Sequence, residues 1–325
     1  MFARGVSART VWLVTLGQAV TLALAAALLM AGAEPALNPQ TDLNTLVSLA
    51  AIKPMVLLVW LAALVSLASL RWQRLAQHAW FTLMAATGLA GGIALVIPYE
   101  SAHVLASGNW GLSNLYQVSV LTIAVTGTLA LGFDRAAAGN RLLPFITPLL
   151  AAAAAFTAWL AHIGMALPAE LVPALQNSIL PFHVIANFIG YGCFAIGAAA
   201  AVALLVRARA DKLGRPSRLP PVNALEAIGH RAVSIGFPVF TLAILLGCLW
   251  AYQAWGGYWS WDPKETWALV VWLVYAAYLH TRLTRKPGPV VLAWWLLAGF
   301  AATLVCYLGV NMFLSGLHSY GSLAV

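Results

Sequence analysis

Residues 255 to 267 read Trp-Gly-Gly-Tyr-Trp-Ser-Trp-Asp-Pro-Lys-Glu-Thr-Trp. Indole and phenol rings give flat apolar walls with N–H and O–H handles, chemistry suited to a large planar ligand such as a porphyrin. A lipid-interface belt uses the same residue types. A belt, however, scatters one or two rings over each helix end, whereas Trp255, Tyr258, Trp259, Trp261 and Trp267 crowd one loop. Gly256-Gly257 permits a sharp turn and close backbone approach. Asp262 fits a helix N-cap, Pro263 the first helical position and Glu265 the third, with Lys264 between them, a capping-box pattern that by itself accounts for both carboxylates.

Histidine is the other residue type able to work beside such a loop. His183 precedes Asn187 and Gly190 at i+4 and i+7, and His318 follows Ser315 and Asn311 at i−3 and i−7. Each heads a small or polar helical stripe of the kind that turns toward a bundle interior. Two imidazoles from different helices at one membrane depth are what a six-coordinate haem iron requires. His162 and His103 compete for the same role. His280 lies eighteen residues beyond Asp262, about 27 Å along a helix, so it belongs to a different, deeper place. Beside Arg282 it reads either as an interfacial histidine or as one ligand of a second site whose other ligand comes from elsewhere.

The elements that must position these groups are membrane spans. A chain of 325 residues with 62% hydrophobic and 8% charged residues has too little polar surface for a soluble globule. Nine apolar stretches are long enough to cross a hydrocarbon core of ~30 Å: roughly 11–31, 54–70, 79–97, 115–133, 143–161, 183–206, 232–252, 266–281 and 290–313. The fold class is thus all-α polytopic membrane protein, with eight spans if the second does not cross, since Lys53-Pro54 clips a longer run that starts at Leu46. All Lys and Arg residues except Lys53 and Lys264 fall on one side of this arrangement. The positive-inside rule then puts the N-terminus in the cytoplasm and the C-terminus outside. The net charge of +8 is accounted for by topology, and no nucleic-acid partner is implied.

The first span has a basic flank but no clear cleavage site, and reads as retained. Residues 1–325 form a single membrane domain, because the longest cytoplasmic connection, about Arg207 to Arg231, is too short for a soluble one. Cys193, Cys248 and Cys306 sit within spans without Cys-x-x-Cys spacing and read as packing residues.

The tryptophan segment, together with Ala-Leu-Val-Val-Trp-Leu-Val-Tyr-Ala-Ala-Tyr-Leu-His at 268–280, resembles the "WWD" region of haem-handling proteins. Its Asp-Pro-Lys-Glu-Thr-Trp ending is similar to the CcsA/ResC branch of System II cytochrome c biogenesis, as distinct from the CcmC and CcmF branches. Gly-Leu-Ser-Asn-Leu-Tyr at 111–116 is similar to another stretch of that family, with Gln117 in place of its glutamate and Gly111 in place of its proline.

The resemblance implies a haem-handling region over 98–325 with an external loop at 253–267. It implies His183 and His318 as external axial ligands to haem b iron and His280 as an intramembrane ligand. Trp255, Gly256, Gly257, Tyr258, Trp259, Trp261, Asp262, Pro263, Lys264, Glu265 and Trp267 form the binding loop. The implied activity is that of a cytochrome c haem lyase: export and presentation of haem, then its thioether attachment to apocytochrome c bearing Cys-x-x-Cys-His. The implied partners are a CcsB/ResB-type membrane subunit and thiol-reducing proteins. A bacterial cytoplasmic membrane is the expected location, ahead of a thylakoid-type one. A bis-histidine electron-transfer cytochrome and a transporter of another amphipathic ligand are the readings from other classes.

Overall fold

The computed structural model describes residues 43–96, 112, 114–135, 142–166 and 172–318. The expected span at 11–31, together with His103 and Gly111, lies outside them. The described chain is an antiparallel helical bundle. Its order is α1 (Leu43–Ser69), α2 (Ala76–Val96), α3 (Leu115–Phe133), α4 (Leu143–His162), α5 (Leu180–Lys212), α6 (Val222–Trp255), α7 (Pro263–Thr284) and α8 (Pro289–Leu304). After α8 the chain passes through a π turn, Val305–Gly309, into a last short helix, α9 (Val310–Phe313). Seven segments are long and apolar enough to cross a membrane. The eighth long helix, α7, is less apolar, carrying Lys264, Glu265 and Arg282 near its ends. Its 22 residues span about 33 Å, enough for a hydrocarbon core.

Pro54 does not break the second expected span. It lies inside α1, which begins at Leu43. Pro148 and Pro238 are likewise carried inside α4 and α6. Packing against neighbouring helices holds such residues in place.

The long helices α5 and α6, of 33 and 34 residues, form the central hairpin. They approach closely where small residues meet: a Cβ added at Gly236 would stand 2.6 Å from Cys193 Cβ and 3.3 Å from Gly190 O. In an apolar solvent such close van der Waals packing is a main source of helix association. α7 and α8 pack on this hairpin, with Tyr275 of α7 stacked on Phe194 of α5 at 3.8 Å between ring centres.

One end of the bundle gathers the tryptophan loop, the start of α5 and the residues after α9. The other gathers arginines, where Arg218 donates to Arg71 O at 2.9 Å and Arg282 Nε to Glu226 Oε1 at 2.8 Å. The Asn114 segment serves as the cap of α3. Its side chain accepts from Gln117 N at 2.9 Å and donates to Met165 O at 3.1 Å, tying the start of α3 to the residues after α4.

Candidate functional site

The loop between α6 and α7 starts where Gly256 takes a left-handed conformation (φ 77°) that ends α6. It finishes at the capping box expected for α7. Asp262 accepts from Lys264 N at 3.0 Å, and Glu265 Oε2 accepts from Asp262 N at 3.2 Å. The same Glu265 oxygen also accepts from Ser260 N at 2.7 Å, so one buried carboxylate ties down the loop's final turn. Trp261, just before the cap, is held at φ 59°, where a bulky residue rarely sits.

Asp262 does more than cap. Its Oδ2 lies 2.8 Å from His318 Nδ1, and its Oδ1 accepts from Leu317 N at 2.6 Å. The carboxylate is 7% exposed. It therefore fixes the backbone and the ring of a residue 56 positions away, and no spacing rule reveals that. The helix carrying Asn311 stops at Phe313, and Leu314 is extended (φ −119°, ψ 131°). His318 and Ser315 are thus not part of a helical stripe, contrary to the sequence expectation. The ring is placed by a non-helical tail hung on Asp262.

His183, in the first turn of α5, is oriented by α6. Its Nδ1–H donates to Ala243 O at 2.8 Å. Asn187 Nδ2 is 3.0 Å from His183 O and 3.1 Å from its Nε2. Gly247 leaves the ring room, because a Cβ there would lie 2.7 Å from His183 Cε1. Trp250 lies near both histidines, stacked near His183 at 6.1 Å and edge-on to His318 at 5.3 Å. Its Nε1 donates to Ala174 O at 2.8 Å. Trp255 closes the far side, 5.0 Å from His318 and 4.8 Å from Trp250.

Both histidines line a cavity of about 150 Å³ walled by Trp250, Phe188, Tyr191 and Tyr307. They also line a second of about 60 Å³ walled by Tyr258, Trp259, Cys248 and Cys306. With each Nδ1 turned to a protein oxygen, Nε2 is the ring nitrogen that would meet a metal, as in metal sites where a carboxylate or carbonyl fixes the tautomer; at His183 the Asn187 amide, 3.1 Å from Nε2, would have to turn aside first. The donor set therefore fits an iron held between two imidazoles.

The aromatic residues of the loop divide into two groups. Trp255, Tyr258 and Trp259 border the histidines or the second cavity. Trp261 is 69% exposed and Trp267 packs on the bundle core, so these two stand apart from the histidines. His162 is exposed at the end of α4, and neither cavity reaches it. His280 is exposed near the arginine-rich end, well away from the pair. Sequence reasoning missed Trp250, the tryptophan shared by both histidines. Its position five residues before Trp255 was the available signal.

The family model described as "Cytochrome C assembly protein" matches residues 112–318, a stretch that contains every part of the site just described. The chain belongs to this family. Similar proteins include the "Cytochrome c biogenesis protein CcsA" of Crocosphaera subtropica, 33% identical over 302 residues that cover 74% of this chain and 89% of that protein. The protein of the same name from Synechococcus elongatus is 35% identical over 269 residues, covering 68% and 82%. That of Chlamydomonas reinhardtii is 46% identical over 155 residues, covering 46% and 43%. Within the family match, the chain is an all-α, multi-pass membrane protein of CcsA type.

Proposed function

We propose that this chain works in cytochrome c biogenesis by holding haem b at the tryptophan-loop end, with His183 and His318 as axial ligands, and presenting it for covalent attachment. The observation that carries the reading is that two imidazoles, each with Nδ1 anchored on a protein oxygen, line one cavity with aromatic walls. The printed names of the similar proteins support the process.

By the positive-inside rule, the arginine-rich end faces the cytoplasm and the tryptophan-loop end faces outward, where an apocytochrome arrives. Attachment adds each S–H of a Cys-x-x-Cys-His segment across a vinyl C=C, forming a C–S bond with no net oxidation. Both thiols must therefore be supplied reduced, by separate thiol-reducing proteins. The chain's contribution is ligation and orientation, because Asp262 and Glu265 are already engaged in holding the site together. In this reading the protein is one subunit of a cytochrome c haem lyase. His280, on the exposed side of α7, is one ligand of a second haem position completed by a CcsB/ResB-type partner. A bacterial cytoplasmic or thylakoid membrane serves equally.

The test is the visible spectrum of the chain purified with its partner, compared with the His183→Ala/His318→Ala double variant. A sharp low-spin spectrum that weakens or turns high-spin in the variant supports the site. A spectrum that does not change removes these histidines from the iron.

A further inference from the structure

Lys264 is the charged group in this site that neither helix capping nor the histidines require. Its side chain is half-buried, and it borders both cavities alongside His183 and His318. Its Nζ donates to Cys306 O at 2.9 Å and to Asn311 Oδ1 at 3.1 Å. Both acceptors are uncharged. They lie on the π turn and the short helix after it, and π turns inside helices are frequent at functional sites. Among the described residues no carboxylate comes within 4.0 Å of this ammonium. Asp262, two residues earlier, is turned to His318 and Leu317. Drawing an ammonium even partly out of water is costly unless a charge compensates it, so a half-buried lysine that borders a cavity without a carboxylate beside it has a place for an anion. An ammonium has three N–H groups, two of which these bonds occupy.

We propose that Lys264 is the recognition point for a carboxylate of the ligand held between the histidines, so that the site selects a planar ligand bearing an acid group. The proposal rests on the haem reading above, where that acid is a propionate, and it adds a specificity determinant. The larger cavity is otherwise lined mainly by apolar and aromatic side chains, among them Phe188, Trp250, Leu115 and Val118, so a ligand with one apolar edge and one anionic edge is favoured with its acid at Lys264. Among the described residues that line the two cavities, Lys264 is the one lysine or arginine.

The competing account is that Lys264 merely clamps the start of α7 to the end of α8. Titration of the purified complex, stripped of haem, with haem and with haem dimethyl ester distinguishes the two, because the ester keeps the ring and iron but has no carboxylate. The Soret band reports affinity, and its low-spin shape reports ligation. Wild type is expected to bind the free acid about tenfold or more tightly than the diester, the size of one hydrogen bond to a charged group. Lys264→Met should erase that preference, with low-spin ligation kept, and Lys264→Arg should retain part of it. Equal binding of acid and ester by wild type overturns the proposal while leaving the haem site standing. So does a Lys264→Met variant that binds both more weakly yet still prefers the acid. Failure of wild type to bind either porphyrin overturns the haem reading together with this one.

Discussion

The two ends of α7 carry the same kind of residue in opposite states. At the tryptophan-loop end, His318 is brought against α7 by Asp262, His183 is fixed by a carbonyl of α6, and one indole lies near both rings. At the arginine-rich end, His280 is exposed, and no side chain among the described residues hydrogen-bonds its ring. Nearby, Arg282 and Glu226 tie α7 to α6 instead. A histidine that is to bind metal from within one chain needs a partner for its second nitrogen. One end has those partners built in, and the other leaves its imidazole exposed.

The comparison breaks most sharply at Asp262. Replacing it with alanine removes the helix cap, worth ~1 kcal/mol, and frees the His318 ring. Haem affinity at this end is expected to fall about 10–100-fold, measured by Soret titration, whereas His280→Ala should leave the same titration unchanged. Equal losses from both substitutions would mean that the ends are not independent sites.

Gly247→Ala comes next, since the new methyl meets the His183 ring. Its low-spin fraction should drop several-fold, while Gly132→Ala, whose added Cβ meets nothing within 4 Å, should match wild type.

pH sharpens the contrast further. Burial holds His318 below its ordinary value of 6.5, against the opposing pull of Asp262. The neutral, ligating ring is therefore favoured in the assembled site, and that advantage is lost only as pH falls through the depressed value. The low-spin band should persist as pH drops past 6.5 and fade at lower pH. Asp262→Asn, which removes the charge that raises the pKa, should move the ring's own proton uptake lower still, read by histidine NMR in the haem-free protein.

The smallest effect belongs to Arg282→Gln. Loss of its ion pair with Glu226, whose side chains are 28% and 16% exposed, should cost about 1 kcal/mol or less. A modest fall in Tm with an unaltered haem spectrum is the expected result.

Much of this was legible in the sequence because it rests on local rules. Apolar run lengths located eight of the described helices, and Asp262-Pro263-Lys264-Glu265 announced the start of α7 through its capping pattern. His183 keeps the helical company read around it, with Asn187 at i+4 on the same helix, whereas the stripe read at His318 stops at Phe313. The illegible part depends on contacts between distant segments. Nothing near His318 indicates that its helix ends at Phe313, or that Asp262 receives Leu317 N. Pro54 read as a break because proline costs an isolated helix a hydrogen bond, yet here neighbouring helices carry it. The aromatic residues of the loop shared a composition and then divided by geometry, Trp255 facing the histidines while Trp267 joined the core.

The doubly fastened helix has a mechanical consequence. α7 is a rod about 33 Å long, bolted near one tip by Arg282 and at the other by Asp262 and Lys264. Pinned at both tips, the rod resists tilting, so it serves as a fixed rail that holds the Asp262 carboxylate, and with it the His318 ring, at one place relative to α6 and α8.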